Sequence, residues 1–188
     1  MKRIVLGTLL MTGFCFASHA QKGSILVYGD LGAHTVKQPN DDKTTEFSIN
    51  PGIGYQFSDH WTAGIAGGYG HSKVEPSTGA EQKSNTYRAG GFGRYTYVFS
   101  SIFSLYGQGD VYYHGQKIED VKSNGFGAAI TPAVGINVSK GFALNIGFGG
   151  ISYETIKIKD ADNSTKTFDV NFGKNVTIGV SKNFGGKR

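Results

Sequence analysis

From Gly23 onward, apolar residues recur at every second position in eight successive stretches, and no apolar run there is long enough for a membrane-spanning helix. Alternation of this kind is the signature of strands with one apolar and one polar face. The pattern is clear in residues 51–70, PGIGYQFSDHWTAGIAGGYG, where Ile53, Tyr55 and Phe57 lead into Trp61, Ala63 and Ile65. Glycines occupy most of the intervening positions, so the chain needs a closed hydrogen-bond ladder to compensate for poor strand propensity. Other stretches place Ile25, Val27 and Leu31, or Phe103, Leu105, Val111 and Tyr113, on one face. Eight antiparallel strands make the smallest common closed barrel, with both termini on one side.

The connections alternate between two kinds. Ser58-Asp59-His60, Ser100-Ser101-Ile102 and Ser139-Lys140-Gly141 are short and join partners of like parity: Phe57 with Trp61, Phe99 with Phe103, Val138 with Phe142. Between them lie polar segments, VKQPNDDKTT, HSKVEPSTGAEQKSN, HGQKIEDVKS and ETIKIKDADNSTK, which read as longer loops. Short turns at one end and long loops at the other is the pattern of a bacterial outer-membrane barrel, the short turns being periplasmic.

The bulk of the apolar parity separates a membrane barrel from a soluble one. Phe57, Trp61, Phe99, Phe103, Phe142 and Phe184 would crowd one end of a narrow interior. Turned outward, they form a girdle at a membrane interface, where aromatic rings are favoured. Phe47, Tyr69, Tyr87, Tyr113, Phe126 and Phe168 form a second girdle near the loops. The opposite parity then lines the lumen. It carries Asp30, Glu46, Arg88, Arg94, Gln108, Asp110 and Asp169 among many glycines. The short turn at 100–102 puts Arg94 opposite Gln108 and diagonal to Asp110, which predicts a lumenal charge network. An eight-stranded barrel is wide enough only for side chains to fill, so such a network plugs it. Pro51 and Pro132 lack a ladder donor and predict a bulge or a rim position at each. The expected fold is therefore all-β: an eight-stranded antiparallel transmembrane barrel with short periplasmic turns and longer extracellular loops.

The first residues, MKRIVLGTLLMTGFCFASHAQ, join two positive charges, an apolar stretch and small residues around His19. This is the pattern of an export signal, cut after Ala20, leaving residues 21–188 as a single barrel domain. Its loss removes Lys2 and Arg3, so the formal charge falls from +5 to +3, and Cys15 goes with it. The mature chain has no cysteine for a disulfide. Its lysines are scattered through polar segments, without the basic cluster that nucleic-acid binding needs.

The hairpin PGIGYQFSDHWTAGIAGGYG, its counterpart TPAVGINVSKGFALNIGFGG, the Ala-Gln junction and the closing strand NVTIGVSKNF resemble the small outer-membrane β-barrel superfamily of OmpX-, OmpW- and OmpA-type domains. The likeness covers essentially the mature chain. It implies insertion by the barrel-assembly machinery, which reads a last strand ending in an aromatic residue; Phe184 fits, although Gly-Gly-Lys-Arg follows it. It also implies contact with outer-membrane lipid and lipopolysaccharide, and a monomer.

Some members of that superfamily modify lipid A. His71-Ser72 with Glu75 is the set to weigh, but neighbours on a strand point to opposite faces, which disfavours a direct His71–Ser72 pair. No cysteine or HExxH spacing suggests a metal, and no cofactor is expected. The leading expectation is a non-enzymatic barrel with a structural or surface-interaction role through its loops. The alternatives are an OmpW-like conduit for small hydrophobic molecules, needing an apolar pocket or lateral opening at the loop end, and a lipid A-modifying enzyme.

Overall fold

Eight strands follow one another around a ring in the computed structural model, which describes residues 22–119, 121–159 and 163–185. They are β1 (Ser24–Lys37), β2 (Lys43–Gln56), β3 (Trp61–Glu75), β4 (Gln82–Val98), β5 (Phe103–Ile118), β6 (Val121–Ser139), β7 (Phe142–Ile158) and β8 (Ser164–Gly185). Each is antiparallel to its neighbours in the chain, and β8 returns to β1 to close the barrel. The export signal expected over residues 1–20 lies outside the described residues.

Two of the short turns are built alike. The hydroxyl of Ser58 accepts from the N–H groups of His60 and Trp61, and that of Ser100 from those of Ile102 and Phe103. Phe57 and Phe99 donate their N–H groups to the carbonyls of Trp61 and Phe103, as the parity predicts. The third turn differs. Ser139, not Val138, pairs with Phe142, and a bulge lies between Asn137 and Ser139. Lys140 and Gly141 both have positive φ, 43° and 75°. That is the primed two-residue turn matching strand twist, and the bulge absorbs the residue it leaves over.

At the other end the ladder runs far into the segments that read as loops. Lys37 pairs with Lys43, Val74 with Gln82, Ile118 with Val121, and Lys157 with Ser164. The cause is visible in the residues: lysines alternate there with Val, Ile, Ser and Thr, which extends the period of two. The loops are thus largely hairpin extensions.

The outer face is apolar throughout the middle of the barrel. All six rings assigned to the turn-end girdle, Phe57, Trp61, Phe99, Phe103, Phe142 and Phe184, point outward and are exposed. Inside, glycine makes room. A Cβ on Gly64 would lie 2.1 Å from the Ile53 carbonyl oxygen, and the space beside it holds the buried ring of Phe92.

The prolines behave differently from each other. At Pro132 a register shift falls between Ile130 and Ala133, the bulge expected there. Pro51 sits in mid-strand with neither bulge nor rim. It pairs in register with Gly29, and the β2–β3 ladder lapses across Asn50 and Pro51 without shifting. The missing donor is met by a gap in the ladder, so the strand assignment stands and the expected bulge does not.

The closing seam is short. β1 and β8 pair from Ser24↔Gly185 to Asp30↔Gly179, and no further. Above that level β8 has been displaced: its register against β7 jumps between Gly147↔Thr177 and Gly149↔Phe172. Gly149 and Gly173 take φ of +83° and +74°, a conformation that side-chain-bearing residues rarely adopt. The bulge turns β8 away from β1, leaving residues 31–37 and 164–178 without a ladder between them.

Candidate functional site in the lumen and at the loop end

Arg94 closes the lumen. It is only 5% exposed, and its Nε and terminal nitrogen both donate to Gln108 Oε1, at 2.9 and 2.6 Å. Gln108 in turn donates to the Tyr28 hydroxyl at 3.1 Å and to Asp110 Oδ1 at 2.8 Å. The guanidinium lies 4.6 Å from the Tyr28 ring centre and 4.2 Å from that of Tyr106. The charge is therefore held by a neutral amide and two aromatic faces, with Asp110 joined through Gln108. Desolvated cation–π contacts of this kind are worth about 2 kcal/mol. They replace the direct Arg–carboxylate pair that the sequence suggests.

A second layer lies above it. Arg88 stacks over the Tyr112 ring at 4.4 Å and approaches Glu154 to 3.9 Å, while the Tyr112 hydroxyl donates to Glu154 at 2.6 Å. His114 packs edge-on against Tyr112, and its Nε2 is buried without a partner among the described residues. Asp30 accepts from Asn50 at 2.8 Å. Between the layers is a cavity of about 330 Å³, bounded by Arg94, Tyr106 and Asp110 and reaching the seam at Asp30 and Gly179.

The expected network is thus only partly assembled. Arg94, Gln108 and Asp110 come together; Arg88 and Asp30 find other partners. Glu46 and Asp169 are not drawn in. Glu46 lies exposed near the loop end opposite Ser72, and Asp169 accepts from Asn171 on the open part of β8. Tyr28, Tyr106 and Tyr112 join the plug, each on the inward parity of its strand. Glu154 was hidden in a segment that reads as loop.

Above the girdle the polarity of the wall inverts. Val36, Val74, Ile118, Val121, Ile156 and Ile158 take the inward parity, and most are well exposed at the mouth. Lysines take the outward parity. On the first half, Lys37 pairs with Asp41 at 2.9 Å, Lys43 with Glu75 at 3.9 Å, Lys73 with Glu75 and Glu81 at 2.7 and 2.9 Å, and Lys83 with Glu81 at 2.8 Å. Hydrogen bonds from Lys83 and Lys73 hold the Glu81 carboxyl below the ordinary carboxylate value. Those to Glu75 and Glu81 raise Lys73. The backbone N–H of Ser77, then Asn40, lowers Asp42.

No hydrolytic set forms around His71. Its Nδ1 meets Asn85 Oδ1 at 2.8 Å, Ser72 takes the opposite face, and Glu75 is engaged by Lys73. Among the described residues no three His, Cys, Asp or Glu side chains gather as a metal site would need.

A closed eight-stranded barrel with aromatic rings turned outward at two levels is the architecture of small membrane barrels. The chain belongs to the outer membrane protein beta-barrel domain family, which it matches over residues 6–184. No curated protein matches its sequence. Among solved structures, it is similar to Neisserial surface protein A, at 17% identity and a TM-score of 0.54, over 87% of this chain and 100% of that one. The Yersinia pestis outer membrane protein Ail, in a phospholipid bilayer nanodisc, aligns at 17% identity over the same shares, with a TM-score of 0.36. At such identity the first likeness speaks for the fold alone.

Proposed function

We propose that the protein is a non-enzymatic barrel of the bacterial outer membrane, closed to flow along its axis, that acts through the hairpin ends it presents at the cell surface. The observation that carries this reading is Arg94, 5% exposed and fixed by Gln108 between two tyrosine rings. A buried guanidinium held on several sides is a plug, not the lining of a water-filled pore. In this reading residues 1–20 direct export and are removed. The turn end faces the periplasm, and the barrel-assembly machinery inserts the chain as a monomer among outer-membrane lipid and lipopolysaccharide. The test is current across planar bilayers holding the folded barrel. No steps are expected from the wild type, whereas Arg94→Ala admits ions. Sustained conductance in the wild type would overturn the reading.

A second reading is favoured by the seam. Unpaired backbone is tolerated at membrane depth only where it meets water or protein. The gap above Asp30 and Gly179 joins the cavity over Arg94, and the mouth above is lined by Ile118, Val121 and Ile158. That arrangement suits a small apolar molecule entering at the loop end and leaving sideways. A dye that brightens in apolar surroundings should bind the barrel in vesicles, and Ile118→Asn with Val121→Asn should weaken it. Equal signals with and without the barrel would end this reading.

A further inference from the structure

We infer that the cavity above Arg94 is a binding site for a small zwitterion that carries an ammonium and a carboxylate group, as an α-amino acid does. Its wall holds two charges of each sign, Arg88 and Arg94 against Asp30 and Asp110, so a ligand of either charge alone would unbalance it. At about 330 Å³ it lies at the small end of ligand pockets, roughly 300–1,000 Å³. Arg94 closes its far side, and the side chain of Arg88, 47% exposed, marks the way in from the loop end.

The lining groups have hydrogen-bonding capacity that the fold does not use. Arg94 gives Nε and one terminal nitrogen to a single acceptor, Gln108 Oε1. A guanidinium carries five N–H donors in a fixed fork, and the end-on pair on its two terminal nitrogens has no acceptor among the described residues. That pair matches the two oxygens of a carboxylate. Asn145, 9% exposed, makes no side-chain hydrogen bond among the described residues. Asp30 and Asp110 each accept through one oxygen, from Asn50 and Gln108. Among the described residues, the unpartnered side-chain atoms sealed from all space are His114 Nε2 and Asn171 Oδ1. The uncommitted groups of the other four residues therefore open onto space, and the cavity is the space that all four line. Register sets the length of the ligand. Asn145 on β7 and Asp30 on β1 both pair with Gly179, which puts no side chain between them. Their α-carbons stand about 10 Å apart, twice the strand spacing. A carboxylate toward Arg94 and Asn145 with an ammonium toward Asp30 fits that slot, and each buried charge then has a partner.

The inference goes beyond the sealed-barrel reading: conductance tests whether Arg94 closes the lumen, binding tests what the cavity above it takes, and either can fail alone. The probe is L-alanine, titrated against the full folded barrel in lipid nanodiscs and read by saturation-transfer nuclear magnetic resonance. Acetate, ethylammonium and glycerol serve as the carboxylate-only, ammonium-only and uncharged comparisons. L-alanine is expected to bind saturably, and each comparison roughly tenfold or more weakly. Asp30→Asn should weaken L-alanine by about tenfold yet leave acetate unchanged, whereas Asn145→Leu should weaken both. Gly93→Ala, whose added methyl meets nothing within 4 Å, should bind as the wild type does. Faster migration of unboiled protein in electrophoresis verifies that each variant is folded, and the four-ligand comparison on the wild type decides the matter should a variant not fold. No saturable signal from L-alanine, which would mean a cavity holding water only, would overturn the inference. So would glycerol or acetate binding as tightly as L-alanine, or both lining variants binding it as the wild type does.

Discussion

The lower and upper halves of the barrel obey opposite rules. Toward the turn end, β1 and β8 are laddered from Ser24↔Gly185 to Asp30↔Gly179, apolar side chains face out, and Arg94 fills the lumen. Toward the loop end the seam parts, aliphatic residues turn inward, and lysines face out. One alternating pattern serves both halves because a strand preserves parity, while the surroundings of each face change along it. Below the upper girdle the solvent outside is hydrocarbon; above it, headgroups and water. The difference teaches that sealing and exposure are divided along the axis, with the bulges at Pro132 and around Gly173 near the boundary.

The sharpest way to break the lower half is to fill its backbone contacts. Gly64→Ala places a Cβ 2.1 Å from the Ile53 carbonyl oxygen and is expected to abolish the folded, faster-migrating band in unboiled electrophoresis. Gly93→Ala meets nothing within 4 Å and should leave that band unchanged. Next comes Arg94→Ala. It strands Gln108 and should lower resistance to urea by about 1–3 kcal/mol, besides opening the lumen to ions. Substitution in the upper half should matter less to folding. Ile118→Ser, at a side chain 42% exposed, is expected to shift the urea midpoint by no more than about 0.5 kcal/mol.

The smallest effect is that of pH on the β3–β4 hairpin. Glu81 has its folded value depressed below 4.5, so its contribution is present above 4.5 and lost as pH falls through the lower value. Lys73 is raised above 10.5, so its contribution is full below 10.5 and lost as pH rises past that. Hydrogen exchange at the hairpin end, corrected for intrinsic rates, should therefore be slowest between those limits and quicken on either side.

The sequence makes the lower half largely legible. Turn chemistry at Ser58 and Ser100 fixes register, and from register follow the girdle and the opposition of Arg94 to Gln108. The aromatic partners of Arg94 are less legible, because an inward tyrosine reads like any other alternating aromatic until its depth is known. The upper half is harder for a physical reason. Lysines raise polarity enough to look like loop, although their alternation with Val and Ile keeps the ladder going. No hairpin links β1 to β8, so no turn dictates how far they pair. The extent of the seam depends instead on the positive φ of Gly149 and Gly173 and on a register jump that alternation does not encode.

The division between halves is tested most directly by hydrogen exchange on the folded barrel in lipid, read along β1 and β8. The account predicts strong protection over residues 24–30 and 179–185, where the two strands are laddered. In residues 31–37 and 164–178, amides that face the seam should exchange far faster than those bonded to β2 or β7. Uniform protection of β1 up to Lys37, matched along β8, would mean that the seam is closed and would contradict the account.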